Sequence, residues 1–221
     1  MAVIVSKELK VPALAKMLSD FAHGEIVKLN ENGVPVEFYV AKHDYESGLN
    51  GSGRTLLVRK DCYDKGVWNN SDLHTYASSA IDTFFNSTYK SLHDVKVQNA
   101  MGTTTFYYTP GNGNSKVTSL SRSIFALSYT EFGFTSNNDT TNVEGSMLPI
   151  ATSLRSVELN GSVVYQWTRS PRHTNPYAAM YVTPTGESSA HCTTSYGRRP
   201  CFTLPSTTLF DANTLIFKEV A

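Results

Sequence analysis

The chain has 221 residues, 40% of them hydrophobic, with 19 basic and 19 acidic side chains that cancel. That profile fits one large or two small globular domains with a real core, and without a basic run there is no counterion-release term to drive nucleic-acid binding. No window approaches the roughly 20 consecutive apolar residues of a membrane span, the opening "MAVIVSKELK" has too short an apolar run for a signal peptide, and three cysteines are too few for a disulfide framework.

In chain order, residues 13 to 23, "ALAKMLSDFAH", set Leu14, Met17, Leu18 and Phe21 at helical spacing, with Pro12 suited to the first turn and Gly24 to the end. The pattern predicts an amphipathic helix. The period then changes to that of strands in "EIVKL", "VPVEFYVAKH" and "TLLVRK", separated by the turn-rich "NENG" and "SGLNGSG", which predicts an antiparallel meander. A second helix is predicted from Ser79 to Tyr89, with Ile81, Phe84, Phe85 and Tyr89 on its apolar face and Ser78 or Ser79 as its cap; a shorter one follows near Val95 to Met101. The long middle, rich in Gly, Asn, Ser and Thr and holding "TPGNGNS" and "TSNNDTTNVEGS", reads as ordered surface loop around one short strand, "SIFALS". Strands return at Val163 to Thr168, Ala178 to Thr183, Ser189 to Thr193, Arg199 to Leu204 and Leu215 to Lys218, with "TPTGES" as a hairpin signal. With no repeat and no long linker, one α+β unit is expected, its two main helices segregated from small antiparallel sheets and long ordered loops.

Chemistry-bearing patterns are sparse. The six histidines form no zinc-like spacing, and adjacent His191 and Cys192 would point to opposite faces of a strand. No metal and no cofactor are expected, although the acidic and amide oxygens of Asn137 to Asp139 leave weak calcium binding open. There is no GxSxG, and "GNGNS" follows Pro110 without a helix to complete a phosphate cradle, so no catalytic residue is assigned. The aromatics of the last quarter, Tyr165, Trp167, Tyr177, Tyr181 and Tyr196, admit core packing or a binding surface; Trp167 is assigned to the core, while Tyr177 and Tyr196 stay open between the two.

Four stretches then fall into one pattern: "Y…SSAIDTFFNSTY", "FALSYTEFG", "QWTRSP" and "GRRPCFTLP". Together they resemble a bacterial and prophage domain family in which a W-x-R-S-P segment and a terminal G-x-R-P strand bracket variable loops. That family is similar to the C-type-lectin-like fold, to formylglycine-generating enzymes and to the variable proteins of diversity-generating retroelements. The resemblance spans roughly residues 25 to 210. It implies a C-type-lectin-like domain over 25–221, preceded by an arm and helix over 1–24 that could serve assembly. The cysteine pair of the formylglycine-generating enzymes has no counterpart beyond Cys192 and Cys201, and Cys201 falls in a predicted core strand, so oxidase activity is not carried over.

On this reading Trp167, Arg169 and Pro171 form one half of a rigid frame and Arg199, or its neighbour Arg198, with Pro200 the other: tryptophan fills the core, each arginine holds carbonyls or a carboxylate, each proline ends a strand. Residues 172 to 197 between them are held out for contact, centred on Arg172, His173, Asn175, Tyr177, Glu187 and Tyr196. The expected function is non-enzymatic: a protein made in the bacterial cytoplasm without a signal peptide and displayed on a phage or prophage-derived particle. Its expected partners are a host surface glycan or protein and other particle subunits, in a homo-oligomer, with neither nucleic acid nor membrane insertion involved. The alternatives are a decoration or tail-connecting subunit and, third, an enzyme of the sulfatase-modifying type.

Overall fold

A computed structural model describes residues 14–114, 116–134 and 143–220. The first thirteen residues and Asn137 to Asp139 therefore lie outside the described residues, and with them the assembly arm and the calcium reading. In chain order the strands are β1 (Ala15–Met17), β2 (Ile26–Glu31), β3 (Val34–Lys42), β4 (Arg54–Arg59), β5 (Asp64–Val67), β6 (Thr104–Tyr108), β7 (Thr118–Arg122), β8 (Glu158–Leu159) and β9 (Ser162–Val163). They continue with β10 (Gln166–Pro171), β11 (Ala178–Thr183), β12 (Gly186–His191), β13 (Ser195–Arg198), β14 (Cys201–Pro205), β15 (Thr208–Asp211) and β16 (Phe217–Val220). The α-helices are α1 (Ser47–Asn50), α2 (Ala80–Phe84), α3 (Val95–Met101) and α4 (Ala151–Arg155).

With 41% strand and 18% helix in several sheets and a half-barrel, the chain is mostly β. This corrects the expected α+β, C-type-lectin-like arrangement with two main helices. The meander β2-β3-β4 is completed by β14 in the order β14-β4-β3-β2, all antiparallel. A five-stranded sheet runs β12-β11-β10-β13-β5, with β10 and β13 parallel and its other pairs antiparallel. β1, β15 and β16 form a third sheet, and a parallel bridge from Lys28 to Ile216 ties it to β2.

The N-terminal helix is absent. Its segment forms β1 and one 3-10 turn over Leu18–Asp20, with Leu18 and Phe21 buried but Leu14 and Met17 exposed. β1 pairs with β15 from Ala15 opposite Asp211 to Met17 opposite Leu209, a partner nearly 200 residues away that local periodicity cannot register. These residues therefore pack on the same body as the rest of the chain. The helix at Ser79 does form: the Ser79 hydroxyl accepts the Asp82 amide, and α2 runs on through a π turn at Phe85–Tyr89 and a 3-10 turn at Lys90–Leu92.

Among the described residues, the middle of the chain is not mostly surface loop. β6 and β7 pair as a hairpin, and from Ile124 to Phe132 every residue is buried. The first part of that run crosses between the two large sheets before a 3-10 turn at Thr130–Phe132. Phe125 exchanges both backbone hydrogen bonds with Cys201 of β14, and the Leu127 carbonyl accepts the Arg169 amide of β10. The side chains along it close the hydrophobic core from both sides.

Candidate functional site

All six residues of β10, "QWTRSP", are buried, so the segment is the centre of the five-stranded sheet rather than a strand edge. Antiparallel pairing sets Trp167 opposite Tyr181, and the parallel bridge between Gln166 and Gly197 brings Tyr165 beside Tyr196. Alternation then directs Trp167, Tyr181 and Tyr196 to the same face of the sheet. Trp167 lies against it, its indole N–H donating to the Gly66 carbonyl at 3.0 Å. The three tyrosines cover it, with ring centroids 4.5 Å apart for Tyr181 and Tyr196, 5.5 Å for Tyr165 and Tyr181, and 5.9 Å for Tyr165 and Tyr196. Tyr181 and Tyr196 are half-buried while Tyr165 is 45% exposed. Partial burial, then the neighbouring Tyr181, raise the Tyr196 phenol above its ordinary value. This tyrosine face is a partly exposed aromatic cluster.

Arg169 falls where the β10–β11 register shifts between Trp167 and Pro171, and its side chain enters a buried ionic network. Its Nη1 donates to Glu131 Oε2 at 2.6 Å and to the Ala126 carbonyl at 3.0 Å, and its Nε donates to the Tyr107 carbonyl at 2.9 Å. Glu131 also accepts the Tyr45 hydroxyl at 2.5 Å and the Ser128 amide at 2.7 Å. Next to it, Glu144 accepts the Thr109 amide at 2.6 Å and the hydroxyl of Ser170. Burial raises the Glu144 carboxyl above the usual range against the pull of Arg169. Arg199 is buried as well and donates to the carbonyls of Arg59, Leu154 and Lys60, while Pro200 leads into β14 and gives its carbonyl to the Arg59 amide. These charged groups spend their hydrogen bonds inside the protein, which suits holding sheets together rather than meeting a substrate.

The six residues of the presented surface are not brought together at one place. Tyr196 is in the tyrosine face. Arg172 and His173 line a small cavity with His74, Thr109 and Gly111. Asn175 shapes the turn beside that cavity: its side-chain oxygen accepts the Tyr177 amide and its carbonyl meets His74 Nδ1. Tyr177 is 53% exposed, its carbonyl taken by the Cys192 amide, and Glu187 sits opposite Val182 near the β11–β12 turn. Sequence reasoning weighed Tyr165 and Tyr181 between core and binding surface without placing them in the site, read His74 as an ordinary histidine, and did not single out Thr109, Glu131 or Glu144. The available signal for the face was period two, Tyr165 and Trp167 in one strand and Tyr181 in the next.

Among the described residues no group of three or more His, Cys, Asp and Glu could hold a metal, and no helix is long and apolar enough to cross a membrane. Fold and site together define a mostly-β, multi-sheet domain with an ionic core and an aromatic sheet face. The chain belongs to the family described as Domain of unknown function (DUF6273), whose pattern matches residues 52–206, more than two thirds of its length. No curated protein and no solved structure matches it.

Proposed function

We propose that this chain is a non-enzymatic binding domain that engages a glycan on a host surface through its tyrosine face, carried on a phage or prophage-derived particle. The observation that carries the reading is the cluster of Tyr165, Tyr181 and Tyr196 over Trp167, flat rings fixed on a sheet rather than on a mobile loop. Rings held this way offer contact area at low entropic cost, and their hydroxyls add hydrogen bonds. Exposed Tyr165 and the neighbouring Ser188, which pairs with Tyr181, make the face both aromatic and polar, a surface suited to the alternating C–H and hydroxyl groups of a sugar ring. The particle setting rests on the resemblance of the "QWTRSP" and "GRRPCFTLP" segments. Burial of the ionisable network supports a binding role over a catalytic one.

The test is adhesion of Tyr165→Ala, a change at the most exposed ring. The variant should melt close to the parent and bind host cells at least about tenfold more weakly, because an aromatic anchor commonly contributes about 2 kcal/mol at an interface. Stripping surface glycans from the cells should abolish binding by the parent. Binding that survives stripping points to a protein partner, and adhesion unaffected by Tyr165→Ala moves the chain to the decoration-subunit reading.

A further inference from the structure

A second site stands apart from the tyrosine face, at the other end of β10. There a cavity of about 60 Å³ opens between the turn at residues 109–114 and the stretch that begins at Pro171, with His74 against it. A single buried water needs only about 10–15 Å³, so the space takes several waters or the edge of a small molecule. The close approach of the walls is built in. Gly111 has φ +76° and lies so near the His74 carbonyl that a Cβ there would collide with it. Only glycine fits.

Among the polar atoms of the wall, His74 Nε2 and Thr109 Oγ1 have no hydrogen-bond partner in the protein. His74 is 3% exposed, and its Nδ1 lies 3.0 Å from the Asn175 carbonyl. A carbonyl can only accept, so Nδ1 carries the proton and Nε2, the unpartnered atom, presents a lone pair. Burial holds His74 below the ordinary imidazole value, keeping that lone pair available at neutral pH. Thr109 is 4% exposed; its amide is taken by Glu144, and its hydroxyl is the second unpartnered atom. Buried polar atoms are nearly always satisfied, so a pair of exceptions on one cavity points to a ligand that satisfies both.

The donor and acceptor pattern selects the ligand. A carboxylate or phosphate would set lone pairs against the lone pair of Nε2. An ammonium or metal ion would sit beside the Arg172 guanidinium, which lines the same space. A hydroxyl suits both neighbours, since it donates to Nε2 and accepts from a cation, and a second hydroxyl can pair with Thr109 in either sense. We propose that this cavity is a binding site for two hydroxyls on adjacent carbons of an uncharged sugar or polyol, held by His74 Nε2, Thr109 Oγ1 and Arg172. It does not depend on the tyrosine face being a glycan site.

The experiment follows the His74 Nε2 resonance of the full chain, labelled with ¹⁵N-histidine, during titration with glycerol and with the methyl glycosides of glucose, galactose and mannose. Acetate, phosphate and 2-propanol serve as probes that lack a neutral diol. At least one diol should shift the resonance saturably and the other three should not. Thr109→Val, which replaces an unsatisfied hydroxyl with a methyl of the same shape, should melt at or above the parent's temperature yet bind that diol about tenfold more weakly. Tyr165→Ala should leave the titration unchanged, which separates this site from the tyrosine face. The proposal is overturned if no diol gives a saturable shift, if acetate or phosphate does so instead, or if Thr109→Val binds as well as the parent.

Discussion

A guanidinium with no solvent exposure, as at Arg169, must find every partner inside the protein, and the planar fork reaches Glu131, Ala126 and Tyr107 at once. An ammonium is a point donor that cannot span those directions. Arg169→Lys should therefore lower stability by about 3–5 kcal/mol, the usual cost of breaking a buried ion pair. Urea denaturation measures it, and a cycle with Glu131→Gln should show the double variant losing less than the sum of the singles, because each single strands the other's polar atoms. An unchanged midpoint for Arg169→Lys would remove the structural role given to the pair. The need for a fork at Arg169 was legible in "QWTRSP". Its partner was not, although Glu131 stands inside "FALSYTEFG", a stretch already singled out, because only the fold brings the two segments together.

Elements whose burial follows their own period were the readable ones. Ile81, Phe85 and Tyr89 recur every four residues and are all buried, and Val27 alternates with half-buried neighbours in β2, so α2 and the meander could be placed. β5 and β7 read "DKGV" and "TSLSR", with few apolar side chains to mark a face, and β5 takes its pairing from β13, more than 100 residues away. The parallel seam between β10 and β13 is of that unreadable kind and is set by one residue. Gly197 leaves no room for a Cβ, which would meet the Cys62 sulfur and lie 2.8 Å from the Tyr165 carbonyl. The Gly197 amide donates to that same carbonyl at 2.8 Å. Gly197→Ala should accordingly cost about 1–3 kcal/mol by overpacking and loosen the register that puts Tyr165 beside Tyr196. Calorimetry gives the first effect. Faster hydrogen exchange at the Gly197 amide gives the second, and a native melting temperature with native exchange would place the seam's control elsewhere.

For the molecule as a whole, composition argued correctly for a core-stabilised body, while fold class was misread because many of its strands are short and polar on one side. The three cysteines report on that body. All are free and buried, Cys62 in a small cluster with Val157 and Val164, Cys192 and Cys201 in the main core. Burial pushes the Cys62 and Cys192 thiols up to about 12 and that of Cys201 well above its ordinary value, so little reactive thiolate forms in the native state. Native protein should resist iodoacetamide at pH 8, and in urea all three should label with one common rate, as a single opening of the core requires. Mass spectrometry separates that result from early labelling of one site, which would mark a region that opens alone. The family pattern, which runs from residue 52 to residue 206, begins just before β4 and ends just after β14, neighbouring antiparallel strands, and near its two limits the Ser206 amide donates to the Gly53 carbonyl at 2.8 Å. A segment whose ends meet across one hydrogen bond can be spliced into a turn of an unrelated host, or accept new strands on its margin as β2 and β3 are accepted here, without any linker to span the gap.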